Sequence, residues 1–310
     1  MFIDLHCDTA SEMLYRNKSL MKNDLSVDIN KLKKGDALAQ VFAFFIDAGR
    51  VNNLFLEYEV MYKNFINEIN KCSKYISLVK NVPELELANS EGKIGAFLSI
   101  EEGDVLEGRI ENLYKVYEMG VRIITLTWNY KNKIGHPNYN YLYKDKGLTK
   151  FGEELVYKME EIGVITDVSH LSDRGFYDVI NICKKPIIAS HSNARSITKH
   201  PRNLEDNMIK LLGEKGGVIG INYCSDFLGK SKVSLIEDMI YHIKHIRNIG
   251  GIDSVALGSD YDGILNKVEM KDPSEIYKLE CELKKEQFTE REIEKIFYGN
   301  VKRVFSEVLK

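Results

Sequence analysis

The sequence predicts an α/β fold, a (β/α)8 barrel of the TIM type, and three observations carry that prediction. Short apolar runs recur along the chain, each ending in polar or ionisable residues. Amphipathic stretches fill most of the gaps between them. The length of 310 residues suits one barrel core, and no fixed-period repeat, low-complexity tract or Pro/Ser-rich linker offers a place to cut it. A single domain over residues 1–310 is expected.

The eight runs are FIDLHCD (2–8), AQVFAFFI (39–46), IGAFLSIE (94–101), RIITLTW (122–128), GVITDVS (163–169), PIIASH (186–191), GVIGIN (217–222) and SVALGSD (254–260). Several are nearly continuous in Val, Ile, Leu, Phe and Ala, as strands of a parallel sheet covered on both faces require. Helix-like segments lie at 53–71, 106–119, 151–162, 172–183, 203–215 and 232–249. After the last run, FTEREIEKIFYGNVKRVFSEVL (288–309) reads as helix, with Thr289 and Glu292 at capping-box spacing. No helix is read in the insert 129–150.

Composition narrows the function. The chain is 44% hydrophobic and 29% charged, which suits a compact enzyme-like protein and argues against disorder. Its formal net charge is -3 and its lysines are interspersed with acids, so nucleic acid is not an expected partner. Cys7, Cys72, Cys183, Cys224 and Cys281 are odd in number, widely spaced and without a CxxC pair, which reads as reduced thiols. Asp4, His6 and Asp8 interrupt the first apolar run, so no export signal or membrane anchor is read and a cytoplasmic location is expected.

A barrel of this kind carries its active site at the C-terminal ends of its strands. Those ends hold His6 and Asp8, Glu101 or its neighbour Glu102, His170, His191 and Asp260. A lone histidine at a strand end is usually structural, but three of only seven histidines fall on this one predicted rim. In an extended strand His6 and Asp8 face the same side while Cys7 turns away. Imidazole and carboxylate are good zinc ligands, and a buried Asp8 without a cation would carry a large desolvation cost. The donors outnumber those one zinc ion uses, and two ions sharing a carboxylate and a water would absorb them.

With these residues in place, the chain resembles the membrane dipeptidase (renal dipeptidase) family of zinc peptidases, a branch of the metal-dependent hydrolases. The resemblance rests on HCD (6–8), SIEEG (99–103), LTWN (126–129), DVSH (167–170), ASHSNAR (189–195), PRN (201–203), GSDYDG (258–263) and YGNVKRVF (298–305). It implies that His6 and Asp8 hold one Zn²⁺, that His170 and His191 hold a second, and that Glu101, in preference to Glu102, bridges them. It implies Asp260 as the acid beside the bridging water and Arg202 as the clamp for the substrate's terminal carboxylate, with Asp262 a structural neighbour. Where the mammalian family members carry a histidine after the fourth strand, this chain has Trp128, which is taken as substrate-binding. His136 is read as a solvated loop residue, with reach into the mouth as the alternative. His200, His242 and His245 stand outside the constellation.

The resemblance thus implies hydrolysis of dipeptides through a binuclear zinc centre and a bridging hydroxide, with a C-terminal D-residue left open. A homodimer is the assembly it leaves open. The rival readings are a related barrel hydrolase acting on N-acyl amino acids or another amide, and a non-catalytic protein stabilised by zinc. The first-strand HCD, in place of the HxH of many barrel hydrolases, favours the dipeptidase branch.

Overall fold

The computed structural model describes residues 1–310 and closes eight parallel strands into a barrel. These are β1 (Phe2–Cys7), β2 (Ala37–Phe45), β3 (Ile94–Glu101), β4 (Val121–Thr125), β5 (Ile165–Asp167), β6 (Ile188–Ala189), β7 (Val218–Ile221) and β8 (Val255–Leu257). Each pairs in parallel with the next, and β8 pairs back onto β1 through Asp4 and Leu257. All eight predicted runs are barrel strands. Helices Leu54–Lys71, Ile110–Glu118, Lys150–Ile162, Asp173–Ile182, Asp206–Glu214 and Ile236–Gly250 occupy the predicted helical gaps. None of the helices is long and apolar enough to cross a membrane.

Strand alternation sorts the side chains into two cores. Ile3, Leu5, Val41, Phe97, Ile123, Ile165, Ile188, Val218 and Ala256 fill the barrel interior. The intervening residues, such as Phe42, Phe44, Leu98, Ile100 and Ile219, pack outward under the helices. At the end opposite the mouth, Val301, Val304, Phe305 and Val308 of the helix Asn300–Val308 close the interior, with Phe305 against Phe97 at a ring-centroid distance of 4.6 Å. The Thr289–Glu292 capping box forms as predicted, and a π-helical turn over Lys295–Gly299 joins its helix to Asn300–Val308.

Three features depart from the sequence reading. The later strands are shorter than their apolar runs: β5 stops at Asp167 and β6 at Ala189, and the chain then leaves the sheet to turn polar residues into the mouth. A short strand, Ile76–Leu78, adds to β3 beside Ile94–Ala96. Strict alternation along β1 is also broken by a bulge, where the register shifts between Asp4 and Cys7. Ile3 and Leu5 point inward and Asp4 outward, so unbroken alternation would have sent His6 outward with Asp4. The extra residue resets the phase, and His6 turns into the mouth while Cys7 packs outward near the Val41 carbonyl. The insert 129–150 carries only one short 3₁₀ turn, Tyr139–Tyr141.

Candidate metal centre

All six rim residues named from the sequence converge at the barrel mouth, and all six are buried. The Glu101 carboxylate lies at their centre. One of its oxygens, Oε2, is 3.1 Å from His6 Nε2, while Oε1 is 3.0 Å from His170 Nε2 and 3.5 Å from His191 Nε2. His6 Nε2 is also 3.8 Å from Asp8 Oδ2 and 3.9 Å from Asp260 Oδ1. Register sends the two adjacent glutamates to different sides. Glu101 keeps the inward phase of Phe97 and Ser99, whereas Glu102 turns away at φ 87° and accepts from the backbone N–H groups of Asp104 and Trp128.

The donors fit a divalent cation better than they fit one another. Three groups, His6/Asp8/Glu101, Glu101/His170/His191 and His6/His191/Asp260, each bring their donor atoms within 4.8 Å of one another. Zn–N and Zn–O bonds of about 2.0 Å put tetrahedral ligand atoms roughly 3.3 Å apart, close to the spacings seen. His170 Nε2 and His191 Nε2 face each other at 3.0 Å, and Asp8 Oδ1 is buried with no partner. Such an orphaned carboxylate oxygen is costly unless a cation takes it. Gly263 supplies the space, since a Cβ there would lie 1.9 Å from Asp8 Oδ2.

Outer hydrogen bonds set the tautomers. Asp167 Oδ1 accepts from the backbone N–H groups of Ser169 and Ser190, both at 2.9 Å. Its Oδ2 accepts from the hydroxyls of Thr125 at 2.6 Å and Ser190 at 2.5 Å. With the Ser190 proton committed to Asp167, Ser190 Oγ accepts from His191 Nδ1 at 2.7 Å. The proton of His191 therefore sits on Nδ1 and its Nε2 lone pair faces the cluster. On His170, Nδ1 meets Asn129 Oδ1 at 3.3 Å. His170 and Asp260 both hold left-handed backbone, at φ 66° and 61°, a strain of about 1–3 kcal/mol each that the surrounding fold sustains.

Electrostatics follow from this geometry. Burial disfavours the His6 imidazolium, but the Glu101 and Asp8 carboxylates outweigh it and hold its pKa well above the ordinary value. Burial also opposes ionisation of Glu101, yet the His6 charge and the hydrogen bonds from the imidazoles hold it well below the usual range. Burial and Arg202 press His170 down to about 4, and burial and the His6 charge press His191 well below its ordinary value. Burial lifts Asp260 to about 6.

Above the cluster opens a cavity of about 700 Å³. Arg202 lines it, 5% exposed, with its Nη2 donating to the His191 carbonyl at 3.2 Å and its Nε and Nη1 without partners. Phe227 lies under the guanidinium and also stacks on His200, whose Nδ1 accepts from the Arg202 backbone N–H. Trp128 lines the same cavity, packed on Phe45 at 4.8 Å and Tyr130 at 5.6 Å.

His136 stays out of the cavity: its Nδ1 bonds the Gly147 carbonyl and its ring lies on Tyr143. Asp262 is a staple, accepting from Thr9 Oγ1 and from the Ser26 and Val27 backbone. His242 is a core residue and His245 pairs with Asp206. Missed from sequence were Asp167, Ser190, Asn129 and Asn222, whose Nδ2 donates to Asp260 Oδ2 at 2.9 Å. The hydroxyl residue directly preceding each later histidine, Ser169 and Ser190, was the available signal.

The family model described as membrane dipeptidase (peptidase family M19) matches residues 1–310. The chain belongs to the membrane dipeptidase family, peptidase family M19. It is accordingly a dipeptidase of the metallopeptidase class. It is 29% identical over 299 residues to an uncharacterised dipeptidase of Schizosaccharomyces pombe, covering 90% of this chain and 71% of that one. Among solved structures, a metallo peptidase from Rhodobacter sphaeroides, liganded with a phosphinate mimic of the dipeptide L-Ala-D-Ala, superposes with a TM-score of 0.93. That match has 20% identity and covers 99% of each chain. The dipeptidase AC of family M19 superposes with a TM-score of 0.91 at 21% identity, over 99% of this chain and 98% of that one. These likenesses show the same barrel fold.

Proposed function

We propose that this family member hydrolyses dipeptides with two zinc ions at the barrel mouth, His6 and Asp8 holding one, His170 and His191 the other, and Glu101 bridging. The observation that carries the reading is a single cavity joining this donor cluster to the buried guanidinium of Arg202, whose Nε and Nη1 have no partner. Bound there, zinc supplies a nucleophile at neutral pH and a Lewis acid for the scissile carbonyl.

The chain's own residues do the rest. Arg202 offers its partnerless N–H groups to the substrate's C-terminal carboxylate, and that charge-assisted pairing restricts substrates to those ending just beyond the cleaved bond. Asp260, held through Oδ2 by Asn222, keeps Oδ1 toward the mouth, where it takes the attacking water's proton and returns it to the leaving amine. Trp128 and Phe45 form the apolar wall against which substrate lies. The phosphinate mimic of L-Ala-D-Ala in the Rhodobacter sphaeroides relative favours extending the substrate range to a C-terminal D-residue. One catalytic barrel takes in residues 1–310.

The test is a panel of L,L- and L,D-dipeptides, C-terminally amidated dipeptides and N-acyl amino acids, run before and after chelation and zinc restoration. Dipeptide turnover should vanish with the metal and return with zinc. Faster turnover of N-acyl amino acids than of dipeptides would overturn the reading in favour of an acylase.

A further inference from the structure

We propose that Asn129 is a catalytic residue, its side-chain amide donating to the carbonyl oxygen of the bond being cleaved. The inference rests on the dipeptidase reading above.

Its first support is the orientation forced on the carboxamide. For His170 Nε2 to present a lone pair to the cluster, where Glu101 Oε1 lies 3.0 Å away, its proton must sit on Nδ1. The only group meeting Nδ1 is Asn129 Oδ1, at 3.3 Å. The oxygen of the amide is thereby committed to the histidine, and Nδ2 becomes the branch that faces away from it. Nδ2 has no acceptor within the protein, and Asn129 lines the mouth cavity.

Its second support is rigidity on either side. The Trp128 backbone N–H donates to Glu102, and Asn132 Nδ2 donates both to Glu102 at 2.5 Å and to the Leu126 carbonyl at 2.9 Å. Glu102 is fully buried, so the turn that carries Asn129 is anchored from below. A donor held in place before the reaction loses nothing to reorganisation when charge develops.

The chemistry then balances without a proton passing through Asn129. The oxygen of water adds to the carbonyl carbon, and the C=O π pair moves onto the carbonyl oxygen. That pair returns as the C–N bond breaks, and the leaving nitrogen takes the proton removed from the water. Asn129 Nδ2–H bonds to the oxygen while it carries the extra pair. An amide suits the task because it stays a donor at every working pH.

Two variants separate this from a role in holding His170. Asn129→Asp keeps the acceptor for His170 and loses the donor; Asn129→Ala loses both without adding charge. Zinc content, kcat and KM for a dipeptide, and Ki for a phosphinate dipeptide mimic are measured on each. Asn129→Asp should retain bound zinc, Asn129→Ala should be filled by excess zinc, and both, assayed zinc-loaded, should lose kcat on the order of 100-fold. KM should move by less than about 3-fold while Ki for the mimic rises on the same order as kcat falls. Near-normal kcat in either variant, or a loss that follows zinc content, overturns the proposal. Failure of the dipeptidase reading would appear elsewhere, as a zinc-loaded wild-type protein that turns over no dipeptide, and the proposal would fall with it.

Discussion

The substitution Asp167→Asn tests whether the outer hydrogen bonds of the cluster choose the His191 tautomer. The two backbone N–H groups at Oδ1, from Ser169 and Ser190, can only donate, so the oxygen of the introduced amide must stay there. The new NH₂ then faces the hydroxyls of Thr125 and Ser190. Both hydroxyls can rotate to accept, and the Ser190 proton, displaced from the carboxylate, turns to His191 Nδ1 at 2.7 Å. His191 must then carry its own proton on Nε2, which abolishes the lone pair facing Glu101 and His170. Loss of such an outer partner weakens metal binding about 10–100-fold, or ~1.4–2.7 kcal/mol. Exchanging two charge-assisted hydrogen bonds for neutral ones costs a further ~2 kcal/mol of folding stability. Competition for zinc against a chromophoric chelator reads the first effect and denaturant unfolding of the metal-free protein the second. Wild-type zinc affinity in the amide variant would refute the relay.

Further outcomes follow from other parts of the molecule. His242 is buried, accepts from the Ala194 N–H through Nδ1 and bonds the Leu228 carbonyl through Nε2, and burial lowers its pKa to about 4 from an ordinary 6.5. Below pH 6.5 the unfolded chain takes up a proton that the folded one refuses, so stability present above 6.5 should decline by ~3 kcal/mol as pH falls through 4. His242→Gln should flatten that slope in urea titrations at stepped pH. Phe305→Ala, which empties the plug against Phe97, should cost about 3–5 kcal/mol in the same assay. Arg202→Ala should raise KM for dipeptides on the order of 100-fold, about the worth of a charged hydrogen-bonding pair, and leave KM for an amidated analogue within about 3-fold.

The barrel was legible because each strand is buried on both faces, which writes an apolar run into the sequence that little else produces. The rim donors were legible because strand ends in such a barrel point to one place. Sequence periodicity could not reveal the bulge in β1, since a one-residue phase change leaves FIDLHCD looking like an ordinary strand. Nor could it separate Glu101 from Glu102, adjacent acids that only the register of β3 with β2 and β4 sends to opposite faces. Asp167 read as the polar end of a strand, and its four acceptor contacts come from Thr125, Ser169 and Ser190, which only the closed barrel brings to it. Ile76–Leu78 was missed because three residues are too few for any period to register.

The helix Asn300–Val308 closes the interior that β1, at the opposite end of the chain, helps to line. During synthesis, every strand leaves the ribosome before the hydrophobic stopper that seals its inner surface. Until residues 300–308 follow, the nascent cylinder has an open bottom. Chaperones that shelter exposed apolar surface should engage it until Phe305 emerges and docks.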